Sequence, residues 1–166
     1  MLLLASLAAL ALAGCAGYRL GPSSGMAAGT KSIQVDPFAN QTFALRLGEA
    51  VTAAVRKGLQ RDGTYRLATR RDADIVVTGE ITRYNRLELS YQPDDILTVR
   101  DVKLTVTAHV TARERGTSNV VLDCTVTGET PIRAGPDLTS AERQALPLLA
   151  EDLSKKVTSL LVDGRW

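Results

Sequence analysis

Polar and apolar residues alternate with period two through three long stretches in the middle of the chain, and take a helical period on either side. In the cleanest stretch Val102, Leu104, Val106, Ala108, Val110 and Ala112 oppose Asp101, Lys103, Thr105, Thr107, His109 and Thr111. Successive side chains of a strand point to opposite faces, so this pattern predicts a strand with one dry and one wet side. The stretch before it sets Ile75, Val77, Ile81, Leu87 and Leu89 on one face, against Glu80, Thr82, Arg86 and Glu88. Its apolar set skips Arg83 and Asn85, which predicts a bulge or twist there. In the third, Val120–Thr130, Asp123, Thr125, Thr127 and Glu129 face outward. Turns at Gln92-Pro93-Asp94-Asp95 and Arg115-Gly116-Thr117-Ser118-Asn119 separate the runs, as in an antiparallel meander with one wet face.

Before the meander, a short strand at Ser32–Val35 is broken by Pro37 and Asn40. A helix is expected from Ala44 to Asp62, with Ala44, Leu47, Val51, Val55 and Leu59 on its apolar stripe and Gly63 at its end. A brief strand is expected at Tyr65–Ala68. After the meander, Thr139 and Glu142 have the T-x-x-E spacing of a capping box, which satisfies two free amides at a helix start. The stripe Leu146, Leu149, Leu153, Val157 and Leu160 follows, and Pro147 is expected to kink the helix or delay its start. The fold class is therefore α+β. It is a two-layer sandwich with two amphipathic helices on one face of a four-stranded, mostly antiparallel sheet, in the order β-α-β-β-β-α.

The first residues change the picture of where this domain works. An apolar run, Leu2 to Leu12, closes on Leu12-Ala13-Gly14-Cys15. Small residues let the backbone enter a signal peptidase cleft, and a cysteine after the cut offers a thiol for thioether lipidation. The pattern resembles a bacterial lipoprotein signal, with Cys15 the lipid-attachment residue; the alternative is a buried apolar helix ending in a core cysteine. The run is too short for a bilayer, which takes about 20 residues. Met1-Leu2 lacks the positive residues of a signal's leading region, so an upstream start codon is expected. The division is a signal peptide at 1–14, a lipidated Gly/Ser-rich tether at 15–30, and one domain at 31–166. The expected anchor is covalent lipid on Cys15, for which the resemblance to a lipoprotein signal implies palmitate, and firm anchoring takes two or three acyl chains.

Composition narrows the chemistry. The 166 residues are 45% apolar and 23% charged with a formal charge of +2, an ordinary globule without the Lys/Arg block of a nucleic-acid binder. His109 is the only histidine and lies mid-strand on the polar face, where a solvated imidazole is the ordinary outcome. Asp94-Asp95 reads as turn chemistry. No phosphate loop or cysteine cluster occurs, so neither an enzyme nor a cofactor beyond the lipid on Cys15 is expected. Cys124 lies on the apolar side of its strand, where core packing is the ordinary reading and an intermolecular disulfide the alternative. Arg83, Arg86, Arg100 and Lys103 flank the central turn, near Tyr84 and Tyr91, and guanidinium groups suit phosphates. These four are the candidate contacts for a phosphorylated glycolipid. Glu80, Glu88, Asp94, Asp95 and Asp101 sit among them, which leaves a solvated, charge-balanced face as the other reading.

Three segments together resemble the LPS-assembly lipoproteins of the LptE family. Cys15-Ala16-Gly17-Tyr18-Arg19-Leu20 is similar to their Cys-Gly-Tyr-x-Leu opening, with Ala16 inserted. Val35-Asp36-Pro37-Phe38-Ala39-Asn40-Gln41-Thr42 resembles their strand-to-helix segment, and Ala73–Ile81 their first long strand. An amphipathic helix followed by Trp166 closes the chain, as in many members. The resemblance implies a lipid-anchored protein on the periplasmic side of the outer membrane of a Gram-negative cell. It would plug and help assemble a large LptD-type β-barrel and help deliver lipopolysaccharide to the outer leaflet. Ala16 after the cysteine is similar to lipoproteins sent to the outer membrane. Three other roles fit parts of the sequence. They are a tethered periplasmic scaffold of another secretion or polysaccharide-export complex, a small hydrolase using His109, and a lipid carrier, which would need an apolar cavity.

Overall fold

The structure, a computed structural model, describes residues 29–69, 72–92, 95–134 and 137–163. The signal peptide, Cys15, the tether up to residue 28, Pro93, Asp94 and Trp166 lie outside the described residues. The chain forms β1 (Ser32–Val35), β2 (Ala39–Asn40), α1 (Leu47–Asp62), β3 (Arg66–Leu67), β4 (Ile75–Gln92), β5 (Asp95–Glu114), β6 (Val120–Arg133) and α2 (Leu138–Asp163).

Among the described residues the α+β class and two helices match expectation, and the sheet differs. It has six strands in the order β3-β1-β4-β5-β6, with β2 paired to β4 beyond β1. β4–β5 and β5–β6 are antiparallel, whereas β1–β3, β1–β4 and β2–β4 are parallel. The expected four-stranded, mostly antiparallel sheet in the order β-α-β-β-β-α is thus corrected to a mixed sheet in the order β-β-α-β-β-β-β-α. Of the two strands beyond that count, β3 lies inside the brief strand expected at Tyr65–Ala68, and β2 has two residues, too short to display a period. Parallel pairing of β1 with β3 follows from the helix between them, because strands joined by a helical crossover run the same way.

A bulge between Ile81 and Arg83 reverses the phase of β4. Before it Ile75, Val77 and Ile81 face the helices; after it Tyr84 does. Leu87 then pairs with Lys103 on the face away from the helices and is 56% exposed, so it does not share the face of Ile81 as its sequence position suggested. Leu89 sits at a second register shift and is exposed.

Both helices cover the other face. α1 begins at Leu47 rather than Ala44 because Arg46 takes a left-handed backbone conformation (φ 65°). It buries Leu47, Val51, Val55 and Leu59, and Gly63 N–H closes it on Leu59 O. α2 is not capped by Thr139 and Glu142. Asp137 does that work: Ser140 donates its amide to Asp137 Oδ1 at 3.1 Å and its hydroxyl to Oδ2. Glu142 turns inward instead. α2 runs continuously through Pro147, and its buried row is Ala145, Leu149, Leu153, Val157 and Leu161, with Leu146 and Leu160 half-buried at its margin. Ser154 Oγ donates to Ala54 O and ties the helices together.

Close packing explains glycine at two positions in the long strands. An added Cβ on Gly79 would lie 2.1 Å from the Phe38 ring, and one on Gly128 would lie 2.8 Å from Leu153 of α2. Among the described residues no helix is long and apolar enough to cross a membrane.

Candidate functional site

The long hairpin β4–β5 gives the domain two ends of different chemistry. At one end the chain enters: Gly29 N–H donates to Thr64 O, and Lys31 pairs with Glu114 at 2.6 Å. Ser32 donates amide and hydroxyl to Asp74 Oδ2 at 2.7 and 2.6 Å, and this holds the Asp74 carboxyl below its usual range. Lys31 likewise lowers Glu114, and Glu114 raises Lys31.

The other end is apolar and cationic. Asn40 shapes its loop: Oδ1 accepts from the Thr42 amide and hydroxyl at 3.0 and 2.8 Å, and Nδ2 donates to Ala44 O at 2.9 Å. This Asx turn leaves Phe43 70% and Leu45 83% exposed. The Phe43 ring meets Tyr84 edge to face, with centroids 5.6 Å apart at 82°, and the Arg86 guanidinium lies 5.8 Å from the Phe43 centroid. Arg86 Nη2 donates to Glu142 Oε2 at 2.7 Å, and Nε lies 2.5 Å from Oε1 but off the hydrogen-bonding direction. Glu142 is 7% exposed. Burial, then the charge of Glu142, pushes the Tyr84 hydroxyl above its ordinary pKa. Phe43, Leu45, Tyr84, Arg86, Glu142 and Leu146 line a hollow of about 470 Å³.

The four basic candidates do not form one patch. Arg83 pairs with Thr107 on the open sheet face and has no ion-pair partner among the described residues. Lys103, on the same face, is 3.5 Å from Glu129. Arg86 lies on the helix side, held by Glu142, and Arg100 is 3.7 Å from Asp101. Neither the cation–aromatic corner nor the inward role of Glu142 was foreseen from sequence. A local cap pattern hid the second, because the partner of Glu142 stands 56 residues away.

The open face is polar across three strands. Thr78, Thr82, Thr105, Thr107, Thr111, Thr125 and Thr127 lie on it, with Thr107 and Thr127 hydroxyls 3.4 Å apart. His109 Nε2 lies 3.0 Å from Asp123 Oδ1, both side chains about half exposed. Cys124 lies half-buried on the helix side, packed against the core, and burial followed by Asp123 raises its thiol pKa. Among the described residues no group of three His, Cys, Asp or Glu side chains could hold a metal ion.

Residues 30–161 match the model of the LptE family, described as lipopolysaccharide-assembly. No curated protein matches the sequence. The fold is similar to that of a Xanthomonas campestris protein (TM-score 0.64, 12% identity, 88% of this chain and 91% of that one). It is also similar to a minor lipoprotein from Acinetobacter baumannii (TM-score 0.51, 13% identity, 80% and 92%). The PelC dodecamer of Paraburkholderia phytofirmans is a third (TM-score 0.51, 18% identity, 84% and 90%). At such identities these likenesses carry the fold.

Proposed function

The chain belongs to the LptE lipopolysaccharide-assembly family, and we propose that it is a lipoprotein anchored through Cys15 on the periplasmic side of the outer membrane. There it plugs and helps assemble an LptD-type export barrel and helps deliver lipopolysaccharide to the outer leaflet. The observation that carries this reading, beside the family, is the uncovered threonine face of β4, β5 and β6. A sheet face dominated by hydroxyls and charges, with Leu87 its exposed apolar exception, is stable against water and suits the polar lumen of a wide barrel. An apolar face left open in this way would drive aggregation instead.

The role is assembly rather than catalysis. His109 sits on the open sheet face with Asp123, and both side chains are about half exposed to water. The lipopolysaccharide contacts are assigned to the bases around the hairpin, Arg83, Arg86, Arg100 and Lys103. Among them Arg83 carries the charge least neutralised by neighbours.

The test is to express the full chain in cells, extract membranes in mild detergent, and identify what co-purifies at one-to-one ratio. A large outer-membrane β-barrel supports the reading. No barrel, or an inner-membrane complex in its place, overturns it in favour of a tethered scaffold. Cys15→Ser is expected to release the protein from the membrane fraction.

A further inference from the structure

β6 is the outer edge of the sheet, and its outward backbone groups are covered along only half its length. Asp152 Oδ2 accepts from Glu129 N–H at 2.9 Å, and Lys156 Nζ donates to Thr127 C=O at 2.8 Å. The Glu129 amide and Lys156 hold the Asp152 carboxyl low against the opposing effect of burial. Pro131, in the same phase, has no N–H to offer. In an antiparallel ladder every second residue turns its N–H and C=O away from the neighbouring strand. Thr127 and Glu129 do so, and by unbroken register so do Asp123 and Thr125. Among the described residues nothing bonds to the N–H or C=O of either one.

Beside this bare stretch, between β6 and α2, lies a cleft of about 500 Å³. Val126 and Leu160 form its apolar part, and Lys155, Lys156 and Ser159 its rim. Lys156 is committed to Asp152 and Thr127. Lys155 has only Glu151, 3.4 Å away and exposed.

Unpaired edges template the addition of a strand, and folded proteins cover or charge them. Here the cover stops at Thr127. We propose that the Asp123–Thr125 stretch of β6 docks an extended segment of another polypeptide as an added strand. Its backbone meets the four open groups of Asp123 and Thr125. Its helix-side row carries an apolar residue onto Val126 and Leu160, and a carboxylate onto Lys155. A second copy of this chain does not fit. α2 packs over β6 and reaches its edge through Asp152 and Lys156, so two joined edges would set two helices over strands only about 4.8 Å apart. Packed helices need about 8–10 Å between axes.

The experiment uses the full chain in cells, with the photo-crosslinking substitution Thr125→benzoylphenylalanine and, separately, Thr111→benzoylphenylalanine on the open face. The expected result at Thr125 is an adduct whose crosslinked peptide alternates apolar and acidic residues. No adduct at Thr125, or an adduct with the chain itself, overturns the proposal. A barrel adduct at Thr111 without one at Thr125 overturns it while leaving the plug reading intact. Thr125→Pro removes one outward N–H and spares every β5–β6 bond. It is expected to cut adduct yield from a probe at Ser159 by about tenfold or more with thermal unfolding little changed; an unchanged yield overturns the proposal. Hydrogen exchange at the Asp123 and Thr125 amides supplies a readout independent of that variant. Exchange at least about tenfold slower in the extracted complex than in the isolated protein is expected, and equal rates overturn the proposal.

Discussion

Arg86 of β4 and Glu142 of α2 face each other at 2.5 and 2.7 Å, and this pair decides how the apolar end of the domain is held. It joins the hairpin to the first turns of the closing helix. Glu142 is buried and Arg86 is about half exposed, so removing the carboxylate leaves a guanidinium that water can still reach. Glu142→Gln is therefore expected to cost about 1–2 kcal/mol rather than the larger penalty of a wholly buried pair. Thermal unfolding should fall by about 3–8 °C. An unchanged midpoint would show the contact to be energetically idle.

Packing of Phe38 on Gly79 predicts a strong coupling. Gly79→Ala places a methyl 2.1 Å from the ring, so the buried ring or the strand must shift, and should cost about 1–3 kcal/mol or more. Phe38→Leu alone loses ring packing, but in the double variant it makes room for the methyl. Denaturant titration of the four proteins should give a double-variant loss smaller than the sum of the single losses. Simple additivity would refute the steric account.

Acid stability follows from Asp74 and Asp137. Serine donors hold both carboxyls below the ordinary aspartate range. A group whose folded pKa is depressed stabilises above its unfolded value, and that stabilisation disappears as pH falls through the folded one. Unfolding free energy should therefore be flat near neutrality and fall below about pH 4. Asp74→Asn should flatten part of that decline, as read by urea unfolding across acidic pH. A slope identical to that of the parent would count against the assignment.

His109→Ala should change stability by no more than about 0.5 kcal/mol, since its contact with Asp123 is half exposed. Envelope integrity in a complemented deletion strain should be normal. A marked loss would revive the hydrolase reading.

For lipopolysaccharide, Arg83→Ala is expected to weaken binding more than Lys103→Ala, because Glu129 already partners Lys103 while Arg83 has no carboxylate partner among the described residues. Titration of both variants with purified lipopolysaccharide checks this. Equal losses would mean that ion pairing does not rank these bases.

The long elements were legible because they repeat their period many times over: β5 alternates through Val102–Ala112 without a fault, and α1 keeps its stripe from Leu47 to Leu59. β2 was not, since two residues carry no period; β3 falls inside the brief strand expected at Tyr65–Ala68, but its parallel pairing with β1 is made by the crossover of α1. The bulge at Arg83 was visible as a skip in the apolar set, but its effect on Leu87 emerges only from the register with β5. That same slip brings Arg83 onto the face of Lys103 and turns Arg86 to the helix side, although the three flank one turn. Glu142 shows the limit of local patterns: T-x-x-E reads as a cap, while Asp137 one residue before the helix caps it and the glutamate is drawn away by Arg86. The capping competence of Asp137 could have been read; the pull of a strand 56 residues distant could not.

The place of β1 in the sheet has a mechanical consequence. The first strand of the described residues lies inside the sheet, parallel to β3 on one flank and β4 on the other. A pull on the chain from Gly29 along the strand axis loads the bonds to both neighbours in shear, so they must yield together instead of peeling one by one. A protein held by its leading end would thus resist traction where the force enters, and the hairpin beyond Arg83 could flex under load without loosening the root.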